Sequence, residues 1–143
     1  MQQSEAGKLA RACADAMWAS DNASRALGME LVDVGAGRST MAMTVTEKMT
    51  NGHGMCHGGY IFTLADSAFA FACNSHNQNA VAQHCSVTFI RPGKLGERMT
   101  AVAVERSRSG RSGIYDITVT GSDGKAIAEF RGHSRVIEGK LIS

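Results

Sequence analysis

The chain has 143 residues, 43% of them hydrophobic and 20% charged, with a single proline. That is the size of one folded domain and excludes a disordered chain. Lys and Arg total 15 against 13 Asp and Glu, and a net charge of +2 argues against a nucleic-acid partner, which needs a concentrated basic face.

Residues 4–20 predict an amphipathic helix, with Ser4 as its N-cap and Leu9, Cys13 and Met17 recurring at near-helical spacing. Asp21-Asn22 and then Gly28 end it. Residues 29–34 and 38–46 predict a strand pair around a Gly35-Ala36-Gly37 turn, since Met41, Met43 and Val45 alternate with threonines. The stretch from Thr50 to Gly59 carries four glycines and reads as a loop. From Gly58 to about Asn74 apolar residues fall on every side, which predicts a buried helix. Strands follow at about 79–90, 98–106, 113–121 and 125–137, with a turn at Ser122-Asp123-Gly124-Lys125. Consecutive strands on short turns favour an antiparallel sheet. The expected fold class is α+β: one domain over 1–143, with about six strands wrapped around a long central helix. So small a chain cannot cover both layers alone, and dimerisation is expected.

No stretch reaches the roughly 18 apolar residues of a membrane span. Met1 to Ser20 lacks the basic start and short apolar run of a secretory leader. Neither a membrane partner nor export is expected, and the location expected is cytoplasmic. Cys13, Cys56, Cys73 and Cys85 form no CxxC pair, so free thiols in a reducing compartment are the default. His53, Cys56 and His57 lack a fourth ligand at familiar spacing, and no metal is expected.

Two features of the central helix carry chemistry. Gly58-Gly59 at its start exposes bare N–H groups where the helix offers about half a positive charge, a setting that suits a developing oxyanion. A glycine turn serving only the chain path has the same appearance. Asp66 places a carboxylate midway along an apolar helix, where a buried charge needs compensation. It reads as a general base or nucleophile tuned by burial, or as a structural Asp bonded to a neighbour. Ser67 beside it either helps position that carboxylate or a water, or is inert. Gly58 and Asp66 stand about 12 Å apart along the axis and about 80° around it. One reacting carbon cannot touch both, so cooperation requires two subunits with antiparallel helices. Arg106, Arg108 and Arg111, with Lys94 and Arg98, form a basic cluster that suits either a small phosphorylated ligand or solvent.

His57-Gly58-Gly59, Asp66 eight positions after Gly58, and Arg91-Pro92-Gly93 together resemble the hotdog-fold acyl-CoA thioesterases. Asn51-Gly52-His53, Leu64-Ala65-Asp66-Ser67-Ala68-Phe69-Ala70, Ala72-Cys73-Asn74-Ser75 and Phe130-Arg131-Gly132 are similar to the phenylacetate-degradation (PaaI-type) branch in particular. The resemblance runs from about Leu27 to Ile137. It implies a hotdog fold, dimers sharing a continuous sheet and pairing into homotetramers, and hydrolysis of aryl-acyl-CoA such as phenylacetyl-CoA or its ring-hydroxylated forms. Coenzyme A would be part of the substrate, with no other cofactor.

By the same resemblance, the Gly58 N–H polarises the thioester carbonyl. Asp66 of the partner subunit activates water or attacks directly. Asn51 holds the thioester or water, and His57 stands beside the active glycine or orients the loop through its ring N–H. Gly59, Phe89 and Arg91 would meet the substrate, while Arg108, Ser109, Gly110, Arg111 and Ser112, with Arg135, would border the CoA phosphates. Met49, Met55, Tyr60, Phe62 and Phe69 would supply the acyl pocket or serve as plain core. The chain departs from some members at Val81-Ala82-Gln83-His84, which lacks a Ser that contacts the lytic water. Competing readings are a non-catalytic acyl-CoA-binding protein and a hotdog dehydratase.

Overall fold

The computed structural model describes residues 3–143; residues 1 and 2 of the expected 1–143 span lie outside the described residues. Helix α1 spans Glu5–Ser20, with the Ser4 hydroxyl accepting the Gly7 N–H at 3.0 Å. A short helix α2, Asn22–Ala26, follows immediately. Strands β1 (Glu30–Gly35) and β2 (Arg38–Thr44) form the first hairpin, and a single 3-10 turn covers Glu47–Met49. Helix α3 spans Gly58–Cys73. Strands β3 (Ala80–Phe89), β4 (Arg98–Ser109), β5 (Ser112–Thr120) and β6 (Ala126–Val136) complete the chain.

The six strands make one antiparallel sheet in the order β1-β2-β4-β5-β6-β3. Its inner face presents Met41, Met43, Met99, Ala101, Ala103, Tyr115, Ile117 and Phe130, all buried. Against them α3 buries Ile61, Leu64, Ala65, Ala68, Phe69, Phe71 and Ala72. Each large apolar side chain so enclosed contributes about 1.5–3 kcal/mol. The helix lies close enough to the sheet that a Cβ at Gly132 would stand 2.7 Å from the Phe69 ring. Helix α1 packs against β1, burying Ala10, Cys13 and Ala14, and sets Trp18 against Phe71 of α3 at 6.2 Å between ring centroids.

One expectation needs correction. Helix α3 is not enclosed on all sides, because Gly59, Thr63, Asp66 and Ala70 form a stripe that stays partly or fully exposed. Asp21 ends α1 as expected, as its C-cap, and it also caps α2, its carboxylate accepting the Ser24 N–H at 3.0 Å. Strand β3 pairs only with β6, so its other edge is unpaired, and Val81 and Phe89 on it are 47% and 50% exposed. No helix among the described residues is long and apolar enough to cross a membrane.

Candidate active site

The start of α3 is held by a tight loop. The Asn51 Oδ1 accepts the N–H groups of His53 at 2.9 Å and Met55 at 3.2 Å. The Asn51 N–H in turn donates to the Met55 carbonyl at 2.7 Å. Two further bonds anchor the following residues: Cys56 N–H to the Gly93 carbonyl at 2.8 Å and His57 N–H to the Met49 carbonyl at 2.7 Å. His57 is the N-cap of α3, and its Nδ1 accepts the Gly59 N–H at 3.1 Å. That ring nitrogen is an acceptor and so carries no proton.

The capping leaves one donor free. Gly59 donates to His57 Nδ1 and Tyr60 donates to the His57 carbonyl, whereas the Gly58 N–H meets no acceptor among the described residues. It opens beside a groove of about 380 Å³ lined by Asn51, Met55, Cys56, Gly58, Ile61, Phe89 and the Ile90–Pro92 segment. A Cβ at Gly58 would stand 3.0 Å from the Phe89 ring, so glycine is what lets the backbone approach this groove. Asn51, Gly58, Phe89 and Arg91, which lie far apart in sequence, thus meet in one place.

Asp66 lies two turns further along α3. It is half-buried and makes no hydrogen bond or ion pair among the described residues. Burial pushes its carboxyl above the ordinary value. It lies near enough to Cys73 and Cys85 to help burial raise both thiols, Cys73 to about 12. Of the two sequence readings of Asp66, the one with a bonded neighbour is not what the single chain shows. Ser67 faces elsewhere: its hydroxyl is 2.8 Å from that of Ser24, whose own hydroxyl donates to Asp21 at 2.7 Å. It ties α3 to α2 and points about 100° around the helix from Asp66.

Arg91 borders the groove, but its guanidinium is not an open anion site. Nη2 lies 3.0 Å from Glu97 and 2.8 Å from Asp123. The Glu97 carboxyl, with Arg91 beside it, is held down at about 2. Nothing in the sequence pattern signals this ion-pair cluster, whose members come from two connections, Arg91 and Glu97 from β3–β4 and Asp123 from β5–β6.

The basic hairpin forms as expected, with Ser109 opposite Ser112, Gly110 in the left-handed region at φ 58°, and Ser112 opposite Arg135. It lies at the far end of the sheet from Gly58. Arg135 pairs across from Val81, and Phe89, which touches the Gly58 end, pairs with Ala128. Eight residues of strand separate them, roughly 26 Å. The acyl-pocket residues are divided: Met49 and Tyr60 line a separate cleft of about 870 Å³ with Leu27 and Lys48, Met55 lines the groove, and Phe69 is wholly core. Among the described residues no three His, Cys, Asp or Glu side chains converge on a metal-sized site.

The thioesterase superfamily model matches residues 53–128, the stretch that holds α3 and most of the sheet. The chain belongs to this hotdog-fold superfamily of thioester hydrolases. Among its relatives is acyl-coenzyme A thioesterase PaaI of Escherichia coli, 44% identical over 90% of this chain and 91% of that one. The human acyl-coenzyme A thioesterase 13 is 32% identical over 81% of this chain and 86% of its own length. The solved structure of the E. coli PaaI protein from the phenylacetic acid degradation operon superposes with a TM-score of 0.94, at 42% identity, over 95% of this chain and 99% of that one. A Streptococcus mutans protein solved bound to acetyl-CoA matches with a TM-score of 0.75 at 28% identity, over 78% of this chain and 90% of its own.

Proposed function

We propose that this protein hydrolyses aryl-acyl-CoA thioesters, phenylacetyl-CoA or its ring-hydroxylated forms, to the free acid and coenzyme A. The observation that carries this is the presence of one uncapped helix N–H, at Gly58, and one half-buried carboxylate, at Asp66, neither with a partner among the described residues. The relatives' names support the acyl-CoA class. The aryl preference rests on likeness to PaaI and on the Met and aromatic side chains around the start of α3.

The two groups serve one carbon across a dimer. Strand β3 has an open edge, and two such edges pairing antiparallel about a two-fold axis continue the sheet. That pairing reverses direction, so the basic end of one protomer meets the Gly58 end of the other. It also sets the two α3 stripes side by side, placing the partner's Asp66 near this Gly58. Arg108, Arg111 and Arg135, with Ser109, Gly110 and Ser112, then face the CoA phosphates of the partner's site. Two dimers associate further into a homotetramer, and the protein works in the cytoplasm.

In the reaction, the thioester oxygen accepts the Gly58 N–H, and the helix N-terminus stabilises the charge that grows there. The partner's Asp66 takes a proton from water as its oxygen bonds to the carbonyl carbon. Alternatively Asp66 attacks directly and water cleaves the mixed anhydride. Collapse expels the CoA thiolate, which leaves as the thiol after gaining a proton. Asn51 and His57 act by shaping the loop and the helix start, with the Asn51 amide Nδ2 left available to the substrate.

The test is thiol release from a panel of aliphatic and aryl acyl-CoAs, with Asp66→Asn alongside. Release from phenylacetyl-type thioesters, lost in the variant, is the expected outcome. Binding of CoA without release from any thioester would overturn the reading in favour of a non-catalytic acyl-CoA-binding protein.

A further inference from the structure

We infer that Glu97 is a positioning residue for the thioester site, acting through the backbone that carries Gly58; this rests on the function proposed above. Glu97 lies at the end of the β3–β4 connection, and its side chain is only 8% exposed. Its Oε1 accepts the Lys94 N–H at 3.0 Å, and its Oε2 accepts the Ser122 N–H at 3.2 Å and Arg91 Nη2 at 3.0 Å. Its backbone carbonyl accepts the Val45 N–H at 2.9 Å. One carboxylate therefore joins the exit of β3, its own connection and the β5–β6 turn, while its carbonyl holds the end of β2. Asp123 adds a second arm by accepting from Arg91 at 2.8 Å.

The fit around this carboxylate is close. A Cβ at Gly121 would overlap both Arg91 Nη2 and Glu97 Oε2, so the β5–β6 turn passes directly over the ion pair. The connection that Glu97 holds is the one that receives the loop before α3. Its Gly93 carbonyl accepts the Cys56 N–H at 2.8 Å, and Lys94 bridges to Met55. A Cβ at Gly93 would stand 3.0 Å from the Met99 sulfur and 3.3 Å from Cys56, so little slack exists there. Cys56 is followed directly by His57, the cap, and Gly58, the free donor. On the other side of the groove, Arg91 and Pro92 form the wall next to Phe89. Glu97 touches no substrate, yet it holds both the wall and the strap that define where the Gly58 N–H points.

A second feature makes the carboxylate's charge matter. The Arg91 Nε is buried and has no hydrogen-bond partner among the described residues. Neutralising Glu97 leaves that guanidinium less compensated at the groove wall, which favours its movement and with it the movement of Pro92 and Gly93. Misplacing a reacting group by about 1 Å lowers rates by up to about 100-fold.

The experiment compares wild type, Glu97→Gln and Glu97→Asp by kcat and KM on a cleaved thioester, by the dissociation constant of free CoA, and by backbone amide exchange. For Glu97→Gln the expected result is a kcat lower by about 10–100-fold. CoA affinity, set at the remote hairpin, should stay within about twofold, and amide exchange should quicken at Cys56 and Gly59 but not in α1 or the sheet. Glu97→Asp should recover much of kcat. A folded Glu97→Gln with wild-type kcat and unaltered Cys56 exchange overturns the inference. A uniform loss of CoA affinity, kcat and amide protection overturns it too, as the mark of a merely structural residue. Should Glu97→Gln not fold, Asp123→Asn removes the half-exposed second arm, and the same measurements are read with the same criteria. If the wild type cleaves no thioester, the function proposed above has failed, while quickened exchange confined to the Cys56–Gly59 segment still decides for or against the coupling.

Discussion

His57 Nδ1 accepts the Gly59 N–H at 3.1 Å, and so the residue named beside the active glycine works on the next one. Of the donors exposed at the start of α3 the cap takes Gly59 and leaves Gly58. Under the function proposed above, a histidine in this role would act as a selector of which N–H a substrate oxygen meets. His57→Ala should lower stability by about 1 kcal/mol, the usual cost of a lost N-cap. It should also slow hydrolysis, because Gly59 then competes for the carbonyl and the first turn frays. His57→Asn should recover the stability, since Asn caps well. Melting temperatures and initial rates on the three proteins check this, and equal rates in wild type and His57→Ala would remove the cap from the mechanism.

Gly58→Val should reduce turnover by about 10²–10³-fold, the range for losing one oxyanion donor. The reason is the 3.0 Å approach of a Cβ to the Phe89 ring. Phe89 is half-exposed at a strand end, so its ring has room to shift for a smaller side chain. Gly58→Ala should therefore be milder, and Gly58→Ala combined with Phe89→Leu should regain part of the loss. Rates that ignore side-chain size at residue 58 would mean that the backbone there does not approach substrate.

Asp66→Asn should lower the rate by about 10²–10⁴-fold and raise the melting temperature at neutral pH. Burial raises the folded-state pKa of Asp66. Its stabilising contribution is therefore present below the unfolded value, about 3.9, and lost as pH rises through the folded one. At neutral pH the ionised carboxylate burdens the fold, and Asn relieves it; below about pH 3.9 the two proteins should converge. The wild-type rate should fall on the acid side with a midpoint above the ordinary Asp value. Thermal melts across pH, with a pH–rate profile, measure both. An Asn variant less stable than wild type at neutral pH would contradict the absence of a partner for this carboxylate.

Mixing inactive Asp66→Asn and Gly58→Val proteins should restore activity if each site takes its carboxylate and its N–H from different subunits. A random mixture places one intact pair in each heterodimer, so about a quarter of wild-type activity is the ceiling, from half the dimers holding one working site of two. Differently tagged chains allow the heterodimer to be isolated and assayed directly. Inactive heterodimers would put both groups of a site on one chain.

Periodicity carried the fold well because the period-2 strands and the apolar helix are each long enough to declare themselves. Ser4 as a cap, α3 starting at Gly58 and all six strands are readable within a few residues. Helix α2 is not, since five residues have no period and Asp21, a good cap, has the same composition as a turn. The candidate site residues Gly58 and Asp66 stand out because each violates its local context, glycines at a helix start and a charge in an apolar run. The Arg91–Glu97–Asp123 cluster violates nothing locally. Glu97 sits in an ordinary polar turn, and only the closing of three connections around it shows that its charge is buried and shared. The same holds for two expected site residues: the Arg91 guanidinium is engaged by Glu97 and the Ser67 hydroxyl lies against Ser24, bonds that no local pattern announces.

The chain contains one tryptophan, and it lies at the seam between the N-terminal helix and α3, with Trp18 facing Phe71 at 6.2 Å. Intrinsic fluorescence of this protein is therefore a local signal and not an average. It reports whether α1 is docked, while circular dichroism reports the sheet. A difference between the two melting curves would reveal the N-terminal layer detaching as a separate event, with no label added to the molecule.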